Sequence, residues 1–310
     1  MKSLSALALC GSLSVFSSMA LADAASCKDV RMGVVGWTDV VATSAVASEL
    51  MGALGYSVKS TQASQQIIFA GIQKGQIDAF LGYWKPIMDD NIKPFLASKS
   101  VKVADEPSLD DAVAVLAVPT YLAEQGLKTL GDIARFKDQL GGLIYGIDAG
   151  SGANIAIQKM IDTNQFGLGG FKLVESSEAG MLAAVGRAVK GEKAVVFFGW
   201  KPHPMNLSMD ITYLSGTEDV FGPNDGAATV STVTAPDYAE RCPNVNRLLT
   251  NLRFTSEQEA EMMKAIMDRT PPEQVARQWI KANPTVVDGW LQGVTQLDGA
   301  AASAASLKLP

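Results

Sequence analysis

The sequence predicts an α/β protein of two lobes, each a mainly parallel sheet flanked by helices, with two crossings of the chain between them. Strand-like apolar runs alternate with helix-like segments, which is typical of parallel sheets covered on both faces. No Pro-, Gly- or Ser-rich linker divides the 310 residues, so we expect the lobes to interleave rather than follow one another. With 47% hydrophobic and 19% charged residues, the chain can build a packed core.

The individual elements follow from the periodicity of apolar residues and from Gly and Pro stops. We expect strands at 30–35, 56–61, 77–81, 112–117, 143–147, 171–175, 194–198 and 211–214. We expect helices at 43–54, 65–75, 151–163, 178–189, 244–251, 256–268 and 272–283. With crossings near 112–117 and 209–215, the first lobe comprises 23–113 and 213–310, and the second comprises 114–212.

The first 22 residues predict an export signal. Lys2 supplies a positive charge, 4–16 an apolar stretch, and Ala20-Leu21-Ala22 a small-residue cleavage site. The alternative, a membrane anchor, is disfavoured because the apolar stretch is short and rich in serine. We therefore expect an exported, periplasmic protein and a monomer.

Removal of that segment takes Cys10 with it and leaves Cys27 and Cys242. Two cysteines in an oxidising compartment most simply form a disulfide. A lipid-modified Cys27 is one alternative, although the usual large apolar residue three places earlier is missing, and two free thiols are another.

Composition argues against several function classes. The net charge of −6 and the lack of a basic stripe disfavour nucleic acid as a partner. His203 is the only histidine, so we expect no metal site and no cofactor. It lies between two prolines, where we expect it to support its loop, and a catalytic role is the alternative.

One sequence motif occurs three times, an apolar run followed by glycine and tryptophan. It places Trp37, Trp84 and Trp200 just past predicted strands, whereas Trp279 and Trp290 lie in helical sequence and are expected to pack in the core. Ligands of open α/β sheets bind at the carboxyl ends of strands. We therefore expect the first three indoles to meet at one site.

Such a site suits an organic cation. A cation over an indole face gains about 0.5–1 kcal/mol when exposed and about 2 kcal/mol when desolvated. Three desolvated faces supply roughly 6 of the roughly 8 kcal/mol that a micromolar ligand needs. A quaternary ammonium fits best because it leaves no N–H group unsatisfied in an apolar box.

Three polar side chains are candidate ligand contacts. Asp39 follows Trp37 and could offset the ligand's charge from a loop; the alternatives are a helix N-cap and a solvated side chain. The turn 150–154 precedes a helix, so Ser151 and Asn154 could reach the polar end of a ligand, or could simply cap that helix.

A series of short motifs runs in order across nearly the whole mature chain. They are Gly36-Trp37-Thr38-Asp39, Phe80-Leu81-Gly82, Trp84 with Pro86, Ile144-Tyr145-Gly146-Ile147, Val174-Glu175-Ser176-Ser177-Glu178, Gly180-Met181-Leu182, Gly199-Trp200, Pro202-His203-Pro204-Met205-Asn206, Thr212-Tyr213-Leu214-Ser215-Gly216 and Cys242-Pro243-Asn244-Val245. In these motifs, of which the Pro-His-Pro-Met-Asn stretch is the most specific, the chain resembles choline-binding periplasmic proteins of the glycine betaine/choline class of ABC importers.

The resemblance implies a type II-like periplasmic-binding-protein fold whose lobes close on the ligand. It implies an aromatic box of Trp37, Trp84 and Trp200, with Asp39 and Asn154 as polar contacts. It also implies the Cys27–Cys242 disulfide and two partners, a membrane permease and an ATPase.

Two departures bear on the ligand. Where choline binders of this kind carry a box tyrosine, this chain has Ala114, which leaves room for a bulkier ligand such as carnitine. Lys85 and Lys201 follow two of the box tryptophans and would favour a carboxylate-bearing ligand if they pointed inward.

We expect a non-enzymatic binding protein, with choline as ligand ahead of glycine betaine and carnitine. An exported choline-ester hydrolase using Asp39 and His203 is the alternative class. A sensor partner that docks on a receptor is a third hypothesis, which the sequence does not separate from transport.

Overall fold

The computed structural model describes residue 23 and residues 25–309. The predicted signal segment 1–22 lies outside the described residues. The strands are β1 (Asp29–Val34), β2 (Ser57–Gln62), β3 (Ala79–Lys85), β4 (Lys102–Val103), β5 (Leu109–Pro119), β6 (Leu143–Tyr145), β7 (Lys172–Val174), β8 (Phe197–Lys201), β9 (Ile211–Tyr213) and β10 (Ala227–Thr234).

The helices alternate with these strands and then form the C-terminal part of the chain. They are α1 (Thr38–Ala53), α2 (Gln65–Gln73), α3 (Asp89–Ala97), α4 (Thr120–Glu124), α5 (Gly152–Asp162), α6 (Glu178–Lys190), α7 (Met205–Ser208), α8 (Glu218–Phe221), α9 (Pro223–Gly226), α10 (Tyr238–Arg241), α11 (Pro243–Asn251), α12 (Ser256–Met267), α13 (Pro272–Ala282) and α14 (Pro284–Trp290). Within the described part of the chain, no helix is both long enough and apolar enough to cross a membrane.

Eight of the ten strands form one hydrogen-bonded path in the order β2-β1-β3-β10-β5-β8-β6-β7, while β4 pairs with β10 and β9 pairs with β5. We call β2, β1, β3 and β10 the first half-sheet, and β5, β8, β6 and β7 the second half-sheet. The outer three strands of each half are parallel, as the alternation of strands and helices predicts. The central strands β10 and β5 are antiparallel to their neighbours, so the whole sheet is mixed.

Strand β10 is the main element that the sequence analysis missed. Its β-branched run, Thr229-Val230-Ser231-Thr232-Val233-Thr234, is typical of a strand and could have been recognised. It pairs with both β3 and β5 and thereby joins the two half-sheets.

Helix α1 begins at Thr38, five residues before the predicted start at 43, so the expectation of a loop at Asp39 was wrong. The first N–H groups of a helix need acceptors from elsewhere. A distant carboxylate, that of Glu178, accepts a hydrogen bond from the backbone N–H of Thr38 at 2.8 Å. No local sequence signal reveals such a partner.

The C-terminal helices cover the first half-sheet, where α12 and α13 pack against α1. Trp279 and Trp290 stack with ring centroids 5.4 Å apart, and Phe254 lies 4.9 Å from Trp290. Both tryptophans are buried, which agrees with the packing role expected for them.

A disulfide joins Cys27 and Cys242, with an S–S distance of 2.01 Å across a sequence separation of 215 residues. The predicted pairing is confirmed, and the lipid-anchor and free-thiol alternatives for these residues are set aside. The bridge ties the start of β1 to the segment before α11, so it fastens the C-terminal helices to the first strand.

Removal of this bridge in a Cys27→Ala/Cys242→Ala variant should lower the free energy of unfolding by about 2–5 kcal/mol, because the unfolded chain regains the freedom of a very long loop. Urea denaturation monitored by tryptophan fluorescence measures this change. The bridge lies at the opposite end of β1 from Trp37, so affinity for a ligand at the indoles should stay within twofold; equal stability of variant and wild type would contradict the assignment.

Candidate ligand-binding site

The three recurrent tryptophans line a single cavity. Its lining is apolar except for Asp39 and Ser151. The lining residues are Trp37, Asp39, Trp84, Ile87, Met88, Ala114, Ile147, Ser151, Gly152, Ala153, Phe198 and Trp200. They come from both half-sheets, so the cavity lies between the halves.

Trp37 and Asp39 reach the cavity from the junction of β1 and α1. Trp37 is the residue before α1, and its indole Nε1–H donates a hydrogen bond to Asp148 Oδ2 at 2.9 Å. Asp148 lies after β6 in the other half-sheet, so this bond spans the two halves and fixes the plane of the indole.

Trp84 lies inside β3 rather than just past it, so that part of the prediction was wrong. Its backbone pairs with Val230 of β10, and its backbone N–H contacts Met88 Sδ at 3.2 Å. Its indole Nε1–H donates to Asp39 Oδ2 at 2.9 Å, so the two side chains orient each other in the cavity wall.

Trp200 likewise lies inside β8, where its backbone pairs with Ala114 of β5. Asn206 donates hydrogen bonds to the carbonyls of Trp200 and His203, at 3.0 and 2.8 Å. The His203 ring lies at 69° to the indole, with centroids 4.7 Å apart. The Pro-His-Pro-Met-Asn motif therefore braces the end of β8 that presents Trp200.

Asp39 is the charged group of the cavity. Its side chain is only 3% exposed, and Oδ1 is buried without a hydrogen-bond partner among the described residues. Burial, and after it the negative charge of Glu178, raise the pKa of Asp39 to about 6. A carboxylate oxygen with no partner, held next to an apolar cavity, is stabilised by any cation that enters.

A second buried carboxyl lies behind Asp39. Glu259 of α12 is 2% exposed, and its pKa is raised well above the usual range by burial and by the charges of Asp39 and Asp111. It does not line the cavity, so Asp39 is the ionisable side chain that faces a ligand within the described residues.

The turn before α5 lines the opposite wall. The Ser151 hydroxyl caps the helix by accepting from Asn154 N at 3.2 Å. The Asn154 amide accepts from Ile147 N at 2.9 Å and donates to Ile147 O at 2.8 Å. Asn154 therefore fixes the turn and does not itself line the cavity, whereas Ser151 does.

Of the other residues named in the sequence analysis, Ala114 lines the cavity, whereas His203, Lys85 and Lys201 do not. Ala114 lines the cavity next to Trp200. His203 is buried beside it, bonded to Glu178 and Met205 rather than facing the cavity. Lys85 and Lys201 are exposed, and Lys201 Nζ lies 5.1 Å from the Tyr213 ring. No cluster of three or more potential metal ligands occurs in the described part of the chain.

Sequence reasoning missed several residues of the site. Ile87, Met88 and Phe198 complete its apolar wall, and Asp148 anchors Trp37. Asp148 directly follows the predicted strand 143–147, so the strand-end rule could have found it. Ile87 and Met88 lie in the turn after β3, and no local pattern distinguishes them from ordinary core residues.

Residues 28–282 match the profile of the family described as the substrate-binding domain of ABC-type glycine betaine transport systems. The chain belongs to this family. The family consists of substrate-binding proteins, so the chain is a binding protein of an ABC transport system and not an enzyme, as the sequence predicts. Such proteins work outside the cytoplasm.

Solved structures agree with the family. An ABC-transporter choline-binding protein in complex with choline is 44% identical, covers 91% of this chain and 97% of its own, and has a TM-score of 0.88. The same kind of protein in an unliganded semi-closed conformation has a TM-score of 0.82 at the same identity and coverage. Lactococcal OpuAC in its closed-liganded conformation with glycine betaine is 27% identical, covers 84% of this chain and 98% of its own, and has a TM-score of 0.77.

Among curated proteins, the glycine betaine/carnitine transport binding protein GbuC of Listeria monocytogenes is 32% identical over 189 residues. That match spans 60% of this chain and 62% of the Listeria protein, which is less than two thirds of the relative's length.

A substitution at Gly152 tests whether ligand binding requires the close contact between the two halves at this residue. A Cβ at this first residue of α5 would lie 2.2 Å from the carbonyl oxygen of Ile87, which belongs to the other half. Gly152→Ala should therefore keep the halves apart and weaken ligand binding at least tenfold. Isothermal titration calorimetry measures the change in affinity.

The matched control is Gly186→Ala in α6, where a Cβ meets nothing within 4 Å. This variant should bind like wild type and unfold at the same or a slightly higher temperature, because alanine is the better helix former. Equal affinity of the two variants would show that the contact between Gly152 and Ile87 is not needed for binding.

Proposed function

We propose that the protein is the periplasmic binding component of an ABC importer and carries choline, as a monomer, to a membrane permease and its ATPase. One observation carries this proposal: three tryptophans and one buried carboxylate line the same cavity between the half-sheets. Aromatic faces and an unpartnered carboxylate oxygen complement a cation whose nitrogen is fully alkylated. The relatives named above support a quaternary ammonium ligand.

The two half-sheets correspond to two lobes that close on the ligand, with 23–113 and 213–310 in one lobe and 114–212 in the other. The partners of β5 support the first boundary, since Val113 pairs with Ala227 of β10 on one side and with Lys201 of β8 on the other. Ligand that touches both lobes favours the closed state by its higher affinity for that state.

Within the quaternary ammonium class, the lining favours a ligand without a carboxylate. Glycine betaine and carnitine carry a negative charge, and no basic side chain lines the cavity among the described residues. A ligand carboxylate would have to be desolvated near Asp39 without a cationic partner. The hydroxyl of choline can instead donate a hydrogen bond to a carboxylate or accept one from Ser151.

Calorimetry with four ligands tests the proposal. Choline should bind most tightly, and carnitine and glycine betaine more weakly. Ethanolamine should bind far less well than choline, because it lacks the methyl contacts with the indoles and because Asp39 can accept from only part of its N–H groups in an otherwise apolar lining. The uncharged isostere 3,3-dimethylbutan-1-ol has the shape of choline without its charge. If this alcohol or ethanolamine bound as tightly as choline, the aromatic cation site would be refuted.

Replacement of a box tryptophan should remove binding energy with little loss of fold. Trp84→Ala and Trp200→Ala should each cost about 2 kcal/mol or more, roughly 30-fold in Kd, because a desolvated cation–π contact and apolar contacts are lost. Trp290→Ala is the control, since this indole is buried against Trp279 and does not line the cavity. It should lower the unfolding temperature and leave Kd within twofold; unchanged affinity in both box variants would contradict the site.

Affinity should depend on pH through Asp39. Its pKa is raised to about 6, so the carboxyl is mostly ionised at pH 7 and takes up a proton as the pH falls through 6. A bound cation favours the ionised form, so ligand affinity should fall below pH 6, by about tenfold per pH unit once the group is protonated.

Calorimetry between pH 4.5 and pH 8 measures this dependence at about half-unit steps. Asp39→Asn should bind weakly and with a flat profile, whereas Glu259→Gln, which alters a buried carboxyl outside the cavity, should retain the dependence. A wild-type profile that stays flat through pH 6 would show that Asp39 does not face the ligand.

A further inference from the structure

Glu178 makes a contact between the two half-sheets that has no role in lining the cavity. It begins α6 and is only 5% exposed. Its Oε2 accepts from the backbone N–H of Thr38 at 2.8 Å, and its Oε1 accepts from the Thr38 hydroxyl at 2.6 Å. One residue of α1 therefore donates two hydrogen bonds to one carboxylate 140 positions away in the sequence.

His203, which lies in the same half as Glu178, forms a hydrogen bond with this carboxylate. His203 Nδ1 accepts from Met205 N at 2.9 Å, so the ring proton lies on Nε2 and is donated to Glu178 Oε1 at 3.0 Å. The same ring packs edge-on against Trp200. Glu178 is thus attached to the segment that carries one box tryptophan before it meets α1.

Thr38 is the first residue of α1, and both of its neighbours in the sequence line the cavity. Trp37 precedes it and Asp39 follows it, while Thr38 itself is outside the lining. Carboxylates are favourable at helix N-termini, where backbone N–H groups lack partners inside the helix. Bonds to an ionised acceptor are about twice as strong as neutral ones.

We propose that Glu178 is a positioning residue for ligand capture, which clasps Thr38 only when the two lobes meet and so holds Asp39 and Trp37 against the ligand. The proposal rests on the proposed function, because it assigns Glu178 to the closure of that same site. When the lobes part, Glu178 keeps the bond from His203 and loses both bonds from Thr38. We call the two hydrogen bonds from Thr38 to Glu178 the clasp. The clasp therefore contributes to the closed state alone.

The clasp also couples closure to the charge of the ligand. Closing brings the Glu178 carboxylate towards Asp39, whose own charge is buried and only partly hydrogen-bonded. Like charges disfavour each other in a medium of low dielectric constant. A cation between the indoles offsets this repulsion, whereas a neutral molecule of the same shape does not.

Three variants test the clasp by stopped-flow tryptophan fluorescence with choline. Glu178→Gln puts an amide N–H₂ against either the N–H or the hydroxyl of Thr38, so Kd should rise at least tenfold through faster dissociation. Thr38→Val removes one donor and should raise Kd about threefold to tenfold, while Thr38→Ser keeps that donor and should stay within twofold of wild type. Glu218→Gln, an exposed residue of α8, controls for the change in charge.

A double-mutant cycle separates the clasp from unrelated damage. Thr38→Val combined with Glu178→Gln should be no worse than Glu178→Gln alone, since both remove the same contact. Wild-type dissociation rates in Glu178→Gln and Thr38→Val, or fully additive losses in the double variant, would overturn the proposal. Loss of binding in Thr38→Ser as well would also count against it.

A measurement without ligand keeps this proposal distinct from the proposed function. Fluorescent labels at Lys59→Cys in β2 and Lys172→Cys in β7, both exposed, report the distance between the outer strands by single-molecule energy transfer. Thr38→Val should lower the fraction of closed molecules, because it removes one bond and leaves the repulsion between Glu178 and Asp39 unchanged, and Thr38→Ser should not. If wild type binds no quaternary ammonium, the proposed function fails; if the closed fraction is the same in all variants, the clasp fails whatever the ligand.

Discussion

The site depends on the hydrogen bond between the Trp84 indole and the Asp39 carboxylate. It holds a carboxylate inside an apolar wall, with one oxygen bonded and the other without a partner among the described residues. Removal of a carboxylate from water is costly, and its raised pKa expresses that cost. The protein retains a charge here that its own side chains only half compensate, and this leaves the remaining compensation to a ligand.

The mixed sheet explains how chain segments far apart in sequence reach this carboxylate. β10 and β5 are antiparallel to each other at the centre, and each carries an outer group of parallel strands. Val230 of β10 pairs with Trp84, and Ala114 of β5 pairs with Trp200. The two central strands therefore set the spacing between two of the three indoles, and small side chains such as Ala114 leave the space between them open.

The sequence predicted this site to the extent that its signals are local. The recurrent Gly-Trp motif identified three indoles that line one cavity, and the two cysteines that remain after the predicted export signal predicted the disulfide. The position of Asp39 in a helix was missed, because the acceptor at that helix start is Glu178, far along the chain. The Asn154 amide was expected to reach the ligand. It instead forms two hydrogen bonds with the backbone of Ile147, a pairing that only the folded turn creates.

Selectivity for charge then has two physical sources that reinforce each other. Indole faces attract a cation wherever it is bound, but they also accept uncharged apolar groups of the same size. The carboxylates of Asp39 and Glu178 act differently, because bringing them together disfavours the closed form unless positive charge lies near them. A neutral isostere fills the same volume without this compensation, so the discrimination arises from the energy of closure as well as from contact. This also accounts for the lack of basic side chains around the cavity among the described residues, since a lysine there would neutralise the carboxylates and favour closure on an empty site.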